Sequence, residues 1–529
     1  MKAPLRSRLA LLALALAGVT AVAGCASGPE PSGPPAEVAP DEPSGNITVR
    51  VFSGLRTQDP FADSNQGSWQ YFRQIYEGLV TVDDALKPQP LLAESWEINE
   101  DATEFTFHLR DDVLFHDGST MDAADVVYSL NYFQENAEYD INLGDVASIE
   151  AEDDYTVVVS LNSPKASLVN DLGATIGPSI VPEGSADGGA LASAGIGTGP
   201  FYIDEFEPEV RSVLKPFTDH YVIDAEPSGL AGARVPLLES VEFVVVADDG
   251  VAVTGFQSGE YDIDTHLSTV NLDQLKTDPE LVVFEQPGSG WVRISLNLAG
   301  SELMGNPLIR QAIIHATDPE AFVQSTTLDH ARVVDGYNPP EVYWYIDGVS
   351  NYWPYEYDPQ KAKDLLEEAG YDGTPIEIIA GGPSYQGQNA VVFQQLAEAV
   401  GLNVVVNQLE HATFLQRGVK GEYELNSSGG ALNTTPDILY YSWYCNANKR
   451  FGYCNPEYDA IYDEAVATVD LDDRVELFGE LEKILKDDAV ILPLYLNDLA
   501  YGASVSVHNF QPNFLDAFML WNVWADDSK

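Results

Sequence analysis

From residue 46 onward, apolar positions alternate between two spacings. Short β-branched runs at 48–52 and 241–247 have the length and composition of buried strands. The first ends at Ser53-Gly54. Between such runs lie segments with apolar residues on one helical face. Asn306-Pro307 and Asp358-Pro359 each place a capping side chain before a proline at the first helical position, where the missing N–H costs nothing. The second pair opens the clearest helix: Ala362, Leu365, Leu366 and Ala369 share a face, and Gly370 stops it. A strand at 376–380, a helix at 391–400, a turn at Gly401 and a strand at 404–406 then read as a βαβ unit, followed by another helix and an extended segment. An amphipathic helix at 472–486 carries Leu477, Leu481, Ile484 and Leu485 on one face, and a proline-containing extended run follows at 490–496. The pattern predicts mixed α/β lobes without internal repeats. In open α/β sheets ligands sit beyond the carboxyl ends of strands, so the loops after Phe52, Ala380 and Asn426 are the places for a site.

The first 45 residues follow different rules. Lys2, Arg6 and Arg8 precede an apolar stretch at 9–19, the layout of a secretory signal with a charged start and a short apolar body. The stretch is short for a membrane span of about 20 residues. Val22-Ala23-Gly24-Cys25 resembles the bacterial lipobox, which implies cleavage before Cys25 and a lipid on it. Residues 26–45 hold six prolines and no apolar period, so 25–45 is expected to be a lipid-anchored tether behind a 1–24 signal peptide. No second hydrophobic segment of spanning length follows, which places the folded part outside the cytoplasm, at the outer face of the cell membrane.

A chain of 529 residues with 45% hydrophobic positions can bury more than one core, so at least two lobes are expected. With 26 Lys+Arg against 83 Asp+Glu, the net charge of -57 repels polyanions and argues against a nucleic-acid partner. The acidity is spread along the chain and reads as a hydrated surface rather than a site. Cys445 and Cys454 form a close pair in an exported chain with no His or third Cys beside them, which favours a disulfide over a metal site. No Gly-x-Ser-x-Gly elbow and no His-Glu-x-x-His occurs, and the eight histidines are scattered. His108 and His116 flank the Arg110–Asp112 turn of an expected hairpin, yet no third ligand is specified by spacing. Neither a catalytic set, a metal site nor a cofactor is therefore expected. An exported hydrolase using carboxylates that spacing does not pair remains the rival from another class.

A series of motifs carries a resemblance over nearly the whole mature chain. Tyr76-Glu77-Gly78-Leu79, Leu91-Leu92-Ala93-Glu94-Ser95-Trp96, Phe105-Thr106-Phe107-His108-Leu109-Arg110 and Phe115-His116-Asp117-Gly118 come first. Gly197-Thr198-Gly199-Pro200-Phe201, Arg310-Gln311-Ala312-Ile313, Tyr357-Asp358-Pro359, Asn455-Pro456-Glu457-Tyr458-Asp459 and Leu492-Pro493-Leu494-Tyr495 continue it. Together they resemble the family 5 extracellular solute-binding proteins of ABC importers, which serve oligopeptides, dipeptides and nickel. The resemblance implies a two-lobe α/β fold of the periplasmic-binding-protein type, type II in its large form with an extra subdomain in lobe one. Mapped here, lobe one takes 46–284 plus 495–529, with 83–196 as the extra subdomain, and lobe two takes 285–494. It implies a monomer that captures a peptide or similar small molecule, with an oligosaccharide or metal chelate as the alternative, and hands it to ABC permease subunits. By the same resemblance the ligand contacts are Phe52, Ser53 and Gly54, the segment Gly290-Trp291, and the segment from Gly430 to Asp437. Aligning Pro436-Asp437 leaves Asn433 or Thr434 where peptide binders carry an amine-binding aspartate, with Asp437 as the other acceptor within reach. Trp291, Tyr441 and Trp443 are candidates to stack on a ligand.

Overall fold

The computed structural model describes residues 39–40, 42–63, 66–136, 143–173, 177–334, 336, 338–351, 353–382, 384–430, 436–445, 450–513, 515 and 517–526. The signal segment, Cys25, Asn433 and Thr434 lie outside the described residues.

Eleven strands among the described residues form one sheet. In chain order they are β1 (Asn46–Val51), β2 (Phe201–Glu207), β3 (Arg211–Pro216), β4 (Ser240–Val245), β5 (Ile263–Asp264), β6 (Leu281–Leu296), β7 (Ala331–Val333), β8 (Ile376–Gly381), β9 (Val404–Leu409), β10 (Leu425–Gly430) and β11 (Ile491–Ser504). Across the sheet the order is β9-β8-β10-β6-β11-β5-β1-β4-β3-β2, with β7 pairing on β11. β1 runs parallel to β4 and β5, and β8 runs parallel to β9 and β10, so a parallel core lies on each side of the long antiparallel pair β6–β11. A separate four-stranded sheet, in the order Ala93–Ile98, Glu104–Leu109, Thr156–Leu161 and Val146–Asp153, packs against the helix Ala123–Asn136.

The hydrophobic cores change hands along β6 and β11. Tyr501 and Ala503 of β11 join a core with Ile47, Val49, Phe243 and the Phe518–Ala525 tail. Val292, Ile294 and Leu296 of β6, with Leu492, Leu494 and Tyr495 of β11, join a second core with Ile376, Ile378 and Phe393. This is a two-lobe α/β fold whose lobes share two strands. One exchange departs from a simple split by sequence: Val342 and Trp344, from the stretch between β7 and β8, pack into the first core.

Local chemistry explains where elements begin and end. Asp358 Oδ1 accepts from the N–H groups of Gln360 and Lys361, the helix runs Pro359–Glu368 with Ala362, Leu365 and Leu366 buried, and Gly370 takes a φ of +66° beyond its end. Asn306 caps Pro307–His315 in the same way. The helix expected at 391–400 starts earlier, at Tyr385. Its first turn is polar and contains Gly387, where a Cβ would meet the Gly382 carbonyl at 2.6 Å, so packing rather than propensity sets that start. The run expected to end at 496 continues as β11 to Ser504, across the polar pair Asn497-Asp498.

Candidate functional site

The two crossing strands are not regular where they pass between the cores. Pairing runs from Leu281 opposite Ser504 to Pro287 opposite Asp498, then resumes at Trp291 opposite Leu496, so three residues of β6 face Asn497 alone. Such a bulge bends a strand and re-aims its side chains. Gly288 is required there, because a Cβ on it would lie 2.3 Å from the Asn497 carbonyl oxygen.

An open cavity of about 370 Å³ lies at this crossing. Its floor is the middle of β11, from Tyr495 to Tyr501. One wall carries Asp249, His266 and Ser268, and the other carries Thr326, His330 and Tyr385.

The first wall is fixed by Arg50, which is fully buried in β1. Its guanidinium donates to the Val246 carbonyl at 2.8 Å, to the His266 carbonyl at 2.7 Å, to Asp264 Oδ1 at 3.0 Å and to Asp249 Oδ1 at 3.4 Å. Asp264 Oδ1 also accepts from the His266 N–H at 3.0 Å. Burial pushes the Asp264 carboxyl up, and Arg50 pulls it back. One buried cation thus ties together the segments after β4 and β5. The His266 ring lies 5.5 Å from that of Phe52, which is 51% exposed.

On the second wall the Tyr495 hydroxyl accepts from Asn389 Nδ2 at 2.9 Å and lies 3.2 Å from Thr326 Oγ1. Tyr385 stands at the mouth, 37% exposed, over Gly429, whose missing Cβ would otherwise sit 2.5 Å from the Tyr385 hydroxyl. Charged groups beside the floor are mostly paired. Glu285 holds Lys276 at 2.7 Å and His330 at 3.0 Å, and Arg332 forms a two-pronged pair with Glu341 at 2.7 and 3.0 Å.

The residues singled out from sequence scatter over two places. Phe52 does not line the cavity itself but packs its ring beside His266 of the first wall. Gly54 is a packing glycine, with Glu209 Cα and Val245 Cγ2 each 2.7 Å from where its Cβ would stand, and Ser53 beside it is partly buried. Trp291 is 8% exposed and lies under the Arg293 guanidinium at 3.7 Å. Trp443 is 2% exposed, stacked on Phe451 at 4.3 Å with Tyr453 at its edge, so its faces belong to a third hydrophobic cluster. Tyr441 is 49% exposed and stacks on Tyr444 at 6.0 Å. Asp437 is 5% exposed, and neither of its carboxylate oxygens has a hydrogen-bond partner among the described residues. Cys445 and Cys454 form a disulfide, and the Cys445 N–H donates to Asp459 Oδ1 at 3.0 Å.

The histidine pair does not make a metal site. Both His116 nitrogens are engaged by backbone: Nδ1 accepts from the Gly197 N–H at 3.2 Å, and Nε2 faces the Gly199 carbonyl at 2.9 Å. Burial holds the His116 ring near a pKa of about 4, and so neutral. Among the described residues no group of three or more His, Cys, Asp or Glu is placed to hold a metal ion, and no helix is long and apolar enough to cross a membrane. Sequence reasoning missed Arg50, Asp249, His266, Thr326, His330 and Asp498. The available signal was the polar break Asn497-Asp498 inside an apolar run.

The family model for bacterial extracellular solute-binding proteins, family 5 Middle, matches residues 87–451, and the chain belongs to that family. It is 27% identical over 466 residues to heme-binding protein A of Haemophilus influenzae, covering 80% of this chain and 81% of that protein. It is 27% identical over 446 residues to the dipeptide-binding protein of Escherichia coli, covering 76% and 80%. The structure of HbpA2 from Haemophilus parasuis superposes with a TM-score of 0.80 at 24% identity, covering 91% of this chain and all of that one, which shows the shared fold.

Proposed function

We propose that the chain captures a small solute, a peptide or peptide-like compound, in the cleft where β6 and β11 cross, and delivers it to an ABC import permease. The observation that carries this reading is the open cavity at the strand crossing, lined from both lobes and floored by a strand they share. Ligands of two-lobe proteins bind where closure brings the walls together. The related proteins named above bind haem and dipeptides, so the fold accommodates unlike solutes and the lining residues decide among them.

In this reading lobe one is 46–284 with 495–529, its extra subdomain is 83–196, and lobe two is 285–494. The passage of β6 and β11 from one core to the other supports those limits, with Tyr495 packing in the second core and Val342 and Trp344 as the part of lobe two that reaches across. The protein acts without catalysis, as a monomer, tethered outside the cytoplasm by a lipid on Cys25. The lipobox-like segment supports the tether, and Cys25→Ser should move the protein from the membrane fraction into the medium. Asn433, Thr434 and Asp437 are proposed ligand contacts from lobe two, and Phe52 and Ser53 from lobe one.

Native mass spectrometry of freshly purified protein, followed by incubation with labelled peptides, tests the reading. A stoichiometric co-purified solute that is retained unchanged is expected. Conversion of the bound compound to product would replace capture with an exported enzyme.

A further inference from the structure

The cleft floor holds a carboxylate that has no hydrogen-bond or ion-pair partner among the described residues. Asp498 lines the cavity on β11, directly opposite Pro287 at the edge of the bulge, and is partly buried. Among the described residues it makes no side-chain hydrogen bond and no ion pair, whereas the cations around it are already engaged. Arg50 serves Asp264 and two carbonyls, Lys276 serves Glu285, and Arg332 serves Glu341. No Lys or Arg lines the cavity among the described residues. On the facing wall Asp249 is a second carboxylate, 44% exposed at its side chain, held only by the 3.4 Å contact to Arg50.

A carboxylate half removed from water and left unpaired is costly, and the cost falls when a cation arrives with its own hydrogen-bond donors. Burial raises the Asp498 carboxyl, Arg332 and His330 oppose that rise, and Glu285 adds to it. An anionic ligand group would meet two carboxylates at this end, where the nearest basic groups, Arg332 and His330, are already paired with Glu341 and Glu285, while the exposed Tyr385 ring offers a face suited to a cation.

We propose that the floor of the cleft is a subsite for an organic cation, an ammonium or guanidinium group on the ligand, with Asp498 as its countercharge. The inference rests on the solute-binding reading and names the ligand chemistry that reading leaves open. It concerns the shared strand rather than the lobe-two segment at Asp437, so the two acids take separate roles.

The test is calorimetric titration of the full chain with two blocked tripeptides, acetyl-Ala-Lys-Ala-amide and its norleucine counterpart, and with spermidine. The blocked ends remove every charge except the lysine ammonium. The lysine peptide is expected to bind at least tenfold more tightly than the norleucine peptide. Asp498→Asn should erase that preference while leaving affinity for the norleucine peptide within twofold. Equal affinities in the wild type, or a lysine preference that survives Asp498→Asn, overturn the subsite. Should neither peptide bind, spermidine decides: binding that depends on Asp498 upholds the cation subsite and ends the peptide reading. Failure of all three probes overturns the subsite, while a co-purified solute in the mass spectrum would still leave solute capture standing.

Discussion

Two sets of charges in this molecule are built on opposite plans. Beneath the first core, Glu77 is fully buried and fully paired: Arg234 Nη1 donates to it at 2.6 Å, Thr198 Oγ1 at 2.9 Å, and His220 Nε2 lies 3.4 Å away. Arg234 also donates to the Leu230 carbonyl at 2.6 Å and sits 4.8 Å over the Trp521 ring. At the cleft, Asp498 is only partly buried and has none of this. The first arrangement ties distant segments into one core, because Glu77, Thr198, Arg234 and Trp521 come from four separate stretches. The second leaves a charge for something outside the chain. Pairing, more than burial, separates the acid that holds the fold from the acid that awaits a ligand.

The largest effect expected from breaking this contrast is at Glu77. Glu77→Gln removes the charge and leaves Arg234 buried without its carboxylate, which costs about 3–5 kcal/mol in comparable buried pairs. Urea denaturation should show the midpoint falling by a corresponding amount. A midpoint within experimental error of wild type would mean that the pair contributes nothing net and that the contrast is not one of stability.

Acid should reach the same region in two steps. Burial lowers the His116 ring from 6.5 to about 4, so the unfolded chain takes up a proton there before the folded one does. Stability from this group is present above pH 6.5 and is lost as pH falls toward 4, on the order of 3 kcal/mol at most. For Glu77 burial pushes the carboxyl up, but His220, Arg234 and Thr198 outweigh it and hold the group at about 2, below its ordinary 4.5. Its contribution is therefore intact above 4.5 and disappears as pH drops toward 2. Denaturation midpoints measured from pH 7 to 2 should fall through both windows, and His116→Gln should remove the upper step alone.

How much of this was legible beforehand follows the same division. Elements fixed by local chemistry, such as the capped helix Pro359–Glu368 and its Gly370 stop, stand where their residues announce them. The motif Tyr76-Glu77-Gly78 was visible, but its buried partner Arg234 lies 157 positions away, and spacing cannot reveal it. The cleft was least legible because its strand violates the pattern that defines strands. Asn497-Asp498 interrupts the apolar run, so periodicity ends β11 at 496 where the chain instead passes over open space. The aromatics that were candidates to stack on a ligand illustrate the converse. Trp443 has the chemistry of a stacking residue but is buried in the fold, stacked on Phe451 with Tyr453 at its edge.

The strand crossing itself can be perturbed without touching a charge. Gly288→Ala forces a Cβ against the Asn497 carbonyl, a backbone atom that cannot rotate away, and the expected cost is about 1–3 kcal/mol of overpacking. Because the clash sits in the segment that joins the lobes, ligand affinity should fall as well. Calorimetry on Gly288→Ala with the co-purified solute checks this, and unchanged affinity would mean that the bulge is structural only.

The smallest change in stability is expected where function is most affected. Asp498→Asn keeps the size and shape of the side chain and removes a charge that no described residue pairs with. A carboxyl raised by burial is one whose ionised form the fold disfavours, so above its raised pKa the charge subtracts from stability, and replacing it with a neutral amide returns that loss. The group is partly exposed and screened, which limits the gain to no more than about 1 kcal/mol. The direction matters more than the size. Asp498→Asn should melt at or slightly above the wild-type temperature without ligand, and the difference should shrink as pH falls and the wild-type carboxyl protonates. A clear drop in melting temperature would show that Asp498 holds the fold as Glu77 does, and the distinction between the two acids would then collapse.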